Sequence, residues 1–263
     1  DSGINRTWCP NIGRFLSMAN DISLSAGKAL ELFRVLCDAG EPCSLADLTR
    51  ATGLPRTVIF RMVATLELYN LVDRDLDTGY YSVSPRALHQ VQKGLANNAC
   101  CTRADLIMQE VAKRTGDSVI YVIPDGNRGL VLGRTEGSSE MKIVTSKVGM
   151  ELPLHCGAAP LAILAYSSPD FIDEYLREPL VKCTKSTMTQ PKEIRETLVR
   201  IREQGFAVGR EDLFDHLVSV GVPIFGPRGQ LMGSISVGNI SQKYPPERIN
   251  EVGKILIEIT ASI

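Results

Sequence analysis

From Ser23 onward apolar residues recur at helical spacing. Leu24, Leu32, Val35 and Leu36 form a stripe that residues 39–42 (Ala-Gly-Glu-Pro) bring to an end, which predicts a first helix. Ser44 is placed to cap a second, short helix, with Asp47 three residues on and Leu45 and Leu48 turned inward. Gly53 breaks that helix, and Pro55 suits the first position of the next. In this third segment Ile59, Met62, Val63 and Leu66 fall at i, i+3, i+4 and i+7, so the inner face is assigned; Arg56, Thr57, Phe60, Arg61 and Ala64 are left on the outer side. Leu71 and Val72 lead into a strand, residues 77–79 (Asp-Thr-Gly) make a turn, and residues 80–83 read as the returning strand. Three short helices and a hairpin predict a winged helix-turn-helix over residues 23–84. Residues 1–22 have little periodicity and are read as an arm.

Residues 85–100 predict a linker helix with Leu88, Val91 and Leu95 along one side. A second domain, 101–263, then alternates helical and strand-like patterns. Ile107, Met108 and Val111 suggest a helix ending at Thr115 and Gly116. Val119 to Ile123 and Leu130 to Leu132 suggest strands separated by a turn at 125–127, and the apolar run 158–165 reads as a buried helix. Pro191 suits the first turn of a helix in which Ile194, Leu198 and Ile201 face inward. Apolar segments follow at 206–208, 217–225 and 231–237, and a closing helix at 246–260 buries Ile249, Val252, Leu256 and Ile259. The overall expectation is an α/β protein of two domains whose second is a mixed α/β sensor-like domain.

Composition sharpens this picture at three points. With 44% hydrophobic and 22% charged residues, the 263-residue chain has the make-up of a folded soluble protein, and no apolar run reaches the 18 or so residues that span a bilayer. The start of the chain lacks a basic segment followed by an apolar one, and the seven cysteines contain no Cys-x-x-Cys pair; a reduced, cytoplasmic protein is the simplest expectation. His89, His155 and His216 are scattered, so neither a structural metal nor a cofactor is expected. The net charge is −1, and residues 1–98 hold ten Lys or Arg against ten Asp or Glu. Any DNA-binding surface must therefore arise from the placement of basic groups on one face.

Residues 45–48 (Leu-Ala-Asp-Leu), 52–57 (Thr-Gly-Leu-Pro-Arg-Thr) and 61–66 (Arg-Met-Val-Ala-Thr-Leu), with Tyr81 on the returning strand, resemble the IclR family of bacterial transcriptional regulators. Residues 149–156 (Gly-Met-Glu-Leu-Pro-Leu-His-Cys), 202–208 (Arg-Glu-Gln-Gly-Phe-Ala-Val), Glu211-Asp212 and 220–224 (Val-Gly-Val-Pro-Ile) carry the same resemblance through the second domain, so that it covers roughly residues 24–260. Four positions depart from the family pattern. Val58 stands where threonine is often found, Pro160-Leu161 replaces a Gly-Lys pair, and His216 occupies a position that is usually glycine.

The resemblance implies an effector-responsive transcriptional regulator, more commonly a repressor, of a catabolic or metabolic operon. It also implies a GAF-like effector-binding domain and a homodimer or dimer of dimers. A recognition helix fits the major groove, where Arg56 and Arg61 would read guanine or neutralise phosphate, Thr57 would meet phosphate or a base, and Phe60 a thymine methyl. Ser44 is a candidate backbone contact or simply an N-cap, and Arg74 a phosphate contact on the wing. A two-fold assembly would favour a palindromic operator. For the effector, a small organic acid or aromatic compound, the implied pocket lies below the 149–160 loop and uses Leu154, Cys156, Gly157, Ala158, Asp212, Ser219 and Ser236. Leu154 and Ala158 would bury its carbon skeleton, and backbone N–H groups at the start of the following helix would receive a carboxylate. Three other readings stay open: a second domain that serves only assembly, a protein-interaction module, and an enzyme using His155 and Cys156 with Asp212 or Glu211.

Overall fold

The computed structural model describes residues 23–95, 99–139 and 146–262, so the arm expected over 1–22 lies outside the described residues. The chain divides into two compact units, Asp1–Leu95 and Ala96–Ile263.

In the first unit, α1 (Leu24–Ala39) starts at Ser23, whose hydroxyl accepts the N–H of Ala26, and stops at Gly40, which takes a left-handed φ of 66°. α2 (Leu45–Thr52) opens with a reciprocal capping box: Asp47 N–H donates to Ser44 Oγ at 3.2 Å, and Ser44 N–H donates to Asp47 Oδ2 at 3.1 Å. α3 (Arg56–Leu68) begins one residue later than the sequence suggests. Pro55 is its N-cap, with an extended ψ of 141°, and its carbonyl accepts from the amides of Val58 and Ile59. A proline φ of −58° suits that position as well as it suits the first turn. β1 (Val72–Arg74) and β2 (Tyr81–Val83) pair antiparallel, and Cys43 exchanges two backbone hydrogen bonds of 2.8 Å with Tyr81, so the turn between α1 and α2 is stitched to the wing.

The core of this unit contains Leu32, Leu36, Leu48, Ile59, Val63, Leu66, Val72 and Tyr81. Leu24, expected in the same stripe, is exposed two turns ahead of Leu32. α4 (Pro85–Leu95) is bound to this unit: Ala87 is buried, Arg86 donates to Asn70 Oδ1 at 2.7 Å, and Gln90 donates to the Tyr69 carbonyl at 3.2 Å. Of its predicted stripe, Leu88 and Val91 face solvent.

The second unit is a three-layer α/β/α sandwich. α5 (Ala99–Thr115) precedes β3 (Val119–Asp125), β4 (Arg128–Thr135) and β5 (Glu151–Pro153); α6 (Ala158–Ala165), α7 (Pro169–Tyr175) and α8 (Pro191–Gln204) follow; β6 (Ala207–Arg210), β7 (Leu217–Phe225), β8 (Leu231–Ile240) and α9 (Pro246–Ser262) complete it. The sheet has the order β5-β4-β3-β8-β7-β6 with antiparallel neighbours throughout. Strand alternation divides it between two cores. Val119, Tyr121, Val218, Val220, Ile235 and Val237 pack against α5 and α9, while Val122, Val131, Leu152 and Ala207 pack against α6, α7 and α8. α6 is buried on every side, as an unbroken apolar run demands. Two features differ from the sequence reading: part of the supposed 149–160 loop is the edge strand β5, and α7, capped by Ser168, was not foreseen.

Candidate DNA-binding helix and effector pocket

α3 buries Ile59, Val63 and Leu66, and so turns Arg56, Thr57, Phe60, Arg61 and Ala64 to solvent. Phe60 is 51% exposed and stands on the same outer face as the two arginines. Among the described residues neither Arg56 nor Arg61 has an ion pair, whereas Arg34 and Arg50 are held by Glu31 and Asp47 on their own helices. On the wing, the Arg74 guanidinium lies 5.7 Å from the centroid of the buried Tyr81 ring, which orients its charge without neutralising it. Nearby acids are engaged locally. Asp73 accepts from Ser84, and Asp75 accepts from the amides of Asp77 and Thr78, the Thr78 bonds first among the causes that lower its pKa. The Ser44 hydroxyl also has a local role, donating to Asp47 Oδ2 at 2.6 Å.

The pocket in the second unit is a cavity of about 80 Å³ between the N-terminal end of α6, the 211–216 connection and one face of the sheet. Gly157, Ala158, Asp212, Ser219 and Ser236 line it. The register of β8 decides the orientation of Ser236: Ile235 and Val237 point to the opposite core, so Ser234, Ser236 and Gly238 share the α6 side. Ser234 donates to the Ala159 carbonyl at 2.7 Å, tying β8 to the helix. Gly157 has a left-handed φ of 79°, and a side chain at Gly209 would approach Ser219 Oγ, Ala158 N and Asp212 Oδ1 to within 2.9 Å. Glycine at both positions lets the helix start settle onto the strands.

Three expectations for this pocket are corrected. Leu154 and Cys156 are fully buried and do not line the cavity; Leu154 packs into the apolar core beneath α6, and the Cys156 thiol faces Cys183. The first amides of α6 are not vacant either. Gly157 N–H donates to Asp212 Oδ2 at 2.9 Å and Ala158 N–H donates to Ser219 Oγ at 3.1 Å, so protein acceptors hold the donors expected to receive a ligand's carboxylate. Burial pushes the Asp212 pKa above the ordinary carboxylate value, against the opposing pull of the Gly157 N–H. Sequence reasoning also missed Arg134, Leu213, Phe214 and Asn239 on the cavity wall, because they converge from β4, the 211–216 connection and β8 and share no local motif.

His155 and Cys156 form no catalytic pair. Both nitrogens of the His155 ring are engaged, Nδ1 with the Tyr175 hydroxyl at 2.7 Å and Nε2 with the Val181 carbonyl at 2.9 Å. A carbonyl only accepts, so Nε2 carries the proton and Nδ1 accepts from Tyr175. Burial lowers the histidine's pKa and favours this neutral form, and burial likewise pushes the Tyr175 hydroxyl up to about 12.

An exposed, outward-facing helix above a wing, on a chain that carries a separate pocket-bearing α/β unit, defines a DNA-binding transcriptional regulator. The model described as "Bacterial transcriptional regulator IclR C-terminal" matches residues 92–263, and the IclR helix-turn-helix domain matches residues 25–76. The chain belongs to the IclR family of bacterial transcriptional regulators. It is 25% identical over 207 residues to the HTH-type transcriptional regulator KipR of Bacillus subtilis, covering 78% of this chain and 82% of KipR. It is 22% identical over 235 residues to the DNA-binding transcriptional repressor YiaJ of Escherichia coli, covering 88% and 82%. An IclR transcriptional regulator from Alicyclobacillus acidocaldarius superposes with a TM-score of 0.82 at 23% identity, over 92% of this chain and 97% of that one. An IclR homologue from Microbacterium hydrocarbonoxydans, solved with 4-hydroxybenzoate, superposes with a TM-score of 0.79 at 19% identity, over 90% and 98%. The family and these relatives are transcriptional regulators rather than enzymes. Among the described residues no helix is long and apolar enough to cross a membrane.

Proposed function

We propose that this regulator is a cytoplasmic repressor of a catabolic or metabolic operon, released from or recruited to its operator by a small organic molecule that enters the cavity beneath α6. The observation that carries this reading is the cavity itself. It is lined by hydroxyl, amide, guanidinium and carboxylate groups in a unit whose two cores are otherwise closely apolar, an arrangement that a domain serving only assembly has no need to keep. The preferred ligand is a small organic or aromatic acid. With Gly157 and Ala158 N–H already occupied, its carboxylate belongs at the Arg134 end beside Ser118 and Ser236, away from Asp212, and its carbon skeleton against Ile120, Leu213 and Phe214. Arg134 already pairs with Glu136, so the ligand would extend an existing polar cluster. The 4-hydroxybenzoate of the Microbacterium homologue belongs to the same chemical class.

In this reading Arg56, Thr57, Phe60 and Arg61 enter the major groove, and Arg74 with Ser44 flanks the phosphate backbone. One such helix reads only a short half-site. A homodimer or dimer of dimers supplies the second, and the exposed Leu24, Leu30, Leu88 and Val91 are the apolar residues of the first unit that a second copy would cover. Ligand binding then shifts the population between two placements of the DNA modules, a coupling of about 1–3 kcal/mol in typical systems. The test is a genomic operator selection with purified protein, repeated with a panel of small organic and aromatic acids. Recovery of a two-fold operator whose occupancy one acid changes supports the reading. Operator binding that no small molecule alters favours a second domain that only assembles the oligomer.

A further inference from the structure

Between α7 and α8 the chain runs without regular structure, and residues 181–187 form a strap that bridges the segment leading into α6 to the connection between β6 and β7. The Val181 carbonyl accepts from His155 Nε2 at 2.9 Å. Thr184 Oγ1 donates to the Glu211 carbonyl at 2.6 Å, and Thr187 Oγ1 donates to the Asp212 carbonyl at 2.6 Å. The strap therefore holds both partners of the Gly157–Asp212 hydrogen bond: His155 lies two residues before Gly157, and the Glu211 and Asp212 carbonyls are on the other side. At its centre, Cys183 Sγ lies 3.7 Å from Cys156 Sγ. Both thiols are free, Cys156 buried and Cys183 exposed.

We propose that Cys156 and Cys183 are a redox modification site, in which a hydroperoxide oxidises Cys183 and Cys156 closes a disulfide that locks the strap onto the pocket. The division of roles follows from accessibility. Cys183 meets a solvent oxidant, whereas burial, and then the neighbouring Cys183, push the Cys156 thiol far above its ordinary pKa and keep it protonated. The Cys183 sulfur gives up its proton and attacks the terminal oxygen of the hydroperoxide, the O–O bond breaks, and the departing oxygen takes that proton to leave as an alcohol or water while Cys183 becomes a sulfenic acid. The Cys156 sulfur then attacks the Cys183 sulfur; the S–O bond breaks, and the Cys156 proton departs with the hydroxyl as water. Two thiols are oxidised and one hydroperoxide is reduced. The sulfurs must close from 3.7 Å to about 2.05 Å. That movement is shared between the strap and the residue directly before Gly157. The chemistry stands independently of which molecule the pocket takes.

The experiment uses the full chain, reduced and then treated with hydrogen peroxide, alkylated with N-ethylmaleimide, digested and mapped by mass spectrometry. The expected result is a linked peptide pair containing Cys156 and Cys183, reversed by dithiothreitol and absent in Cys183→Ser, a substitution at an exposed position. In Cys156→Ser a dimedone adduct should accumulate at Cys183, because the resolving thiol is gone. Hydrogen exchange of amides 181–187 should slow in the oxidised wild type. The proposal is overturned if Cys183 stays fully alkylatable after peroxide, if it pairs with another cysteine or a second chain, or if the exchange of 181–187 is the same in both redox states.

Discussion

The carboxylate of Asp212 accepts the backbone N–H of Gly157 at 2.9 Å, so an acid from the β6–β7 connection caps the start of α6 inside the pocket wall. The partial positive charge of a helix start favours an anion there, yet burial outweighs it and raises the Asp212 pKa. A carboxylate whose folded pKa lies above its unfolded value binds its proton more tightly in the folded state. Its cost is absent below the unfolded value and is fully imposed once the pH has risen through the folded one. Asp212→Asn keeps an acceptor for Gly157 and removes that cost. The variant should melt at a higher temperature than wild type at neutral pH and converge with it near the ordinary carboxylate value of 3.8. Melting curves that stay parallel across this window would rule the assignment out.

Gly209 faces the same junction. Adding a methyl group would bring it within 2.9 Å of Ser219 Oγ, Ala158 N and Asp212 Oδ1, none of which can move without releasing the start of α6. Gly209→Ala should destabilise the protein by about 1–3 kcal/mol, as overpacking of a close-packed site does. Urea denaturation monitored by circular dichroism measures this, and a cost under about 0.5 kcal/mol would show that the junction is loosely packed.

His216 holds a left-handed φ of 62°. Glycine would suit this position better, since a Cβ costs about 1–2 kcal/mol in that conformation and glycine's greater unfolded-state freedom returns about half. His216→Gly is expected to raise unfolding stability by up to about 1 kcal/mol and to leave ligand response unchanged. Loss of response with unchanged stability would instead make the imidazole a functional group.

Arg61→Ala distinguishes two roles by salt dependence. If Arg61 reads a base, the substitution costs about 1–3 kcal/mol on the selected operator and relaxes preference at one position. If it neutralises a phosphate, affinity falls on all sequences alike and the salt slope drops by about one. Fluorescence anisotropy on the operator and on scrambled DNA at several salt concentrations reads both, and unchanged binding in every condition would remove Arg61 from the interface.

Much of the first unit was legible before any coordinates. The i, i+3, i+4, i+7 spacing of Ile59, Met62, Val63 and Leu66 fixes which way α3 faces, and the Ser44–Asp47 capping box depends only on residues three apart. The helix boundary at Pro55 was misplaced by one residue because proline satisfies the N-cap and the first turn alike. In the second unit most helices and strands were also visible from their periods, α7 and the edge strand β5 being the exceptions, but the pocket was only partly so. Leu154 and Cys156 stand in the segment that leads to it and still turn away from it, Leu154 into the apolar core and Cys156 toward Cys183, 27 residues on, because that packing is made by residues distant in sequence.

Short-range pattern determined most of the local elements, the face that most of them bury and the family to which the chain belongs; α7, β5 and the solvent-facing Leu88 and Val91 of α4 are the exceptions. Only the tertiary structure decided that Asp212 and Ser219 already occupy the first amides of α6, that Ser236 shares the pocket face with Ser234, and that the strap brings Cys183 against Cys156. The bonds at the start of α6 and the cysteine contact join residues tens of positions apart, and Ser236 reaches the pocket only through the pairing of β8 with its neighbours. Such encounters depend on strand register and layer packing, where a shift of one residue turns a side chain to the opposite face.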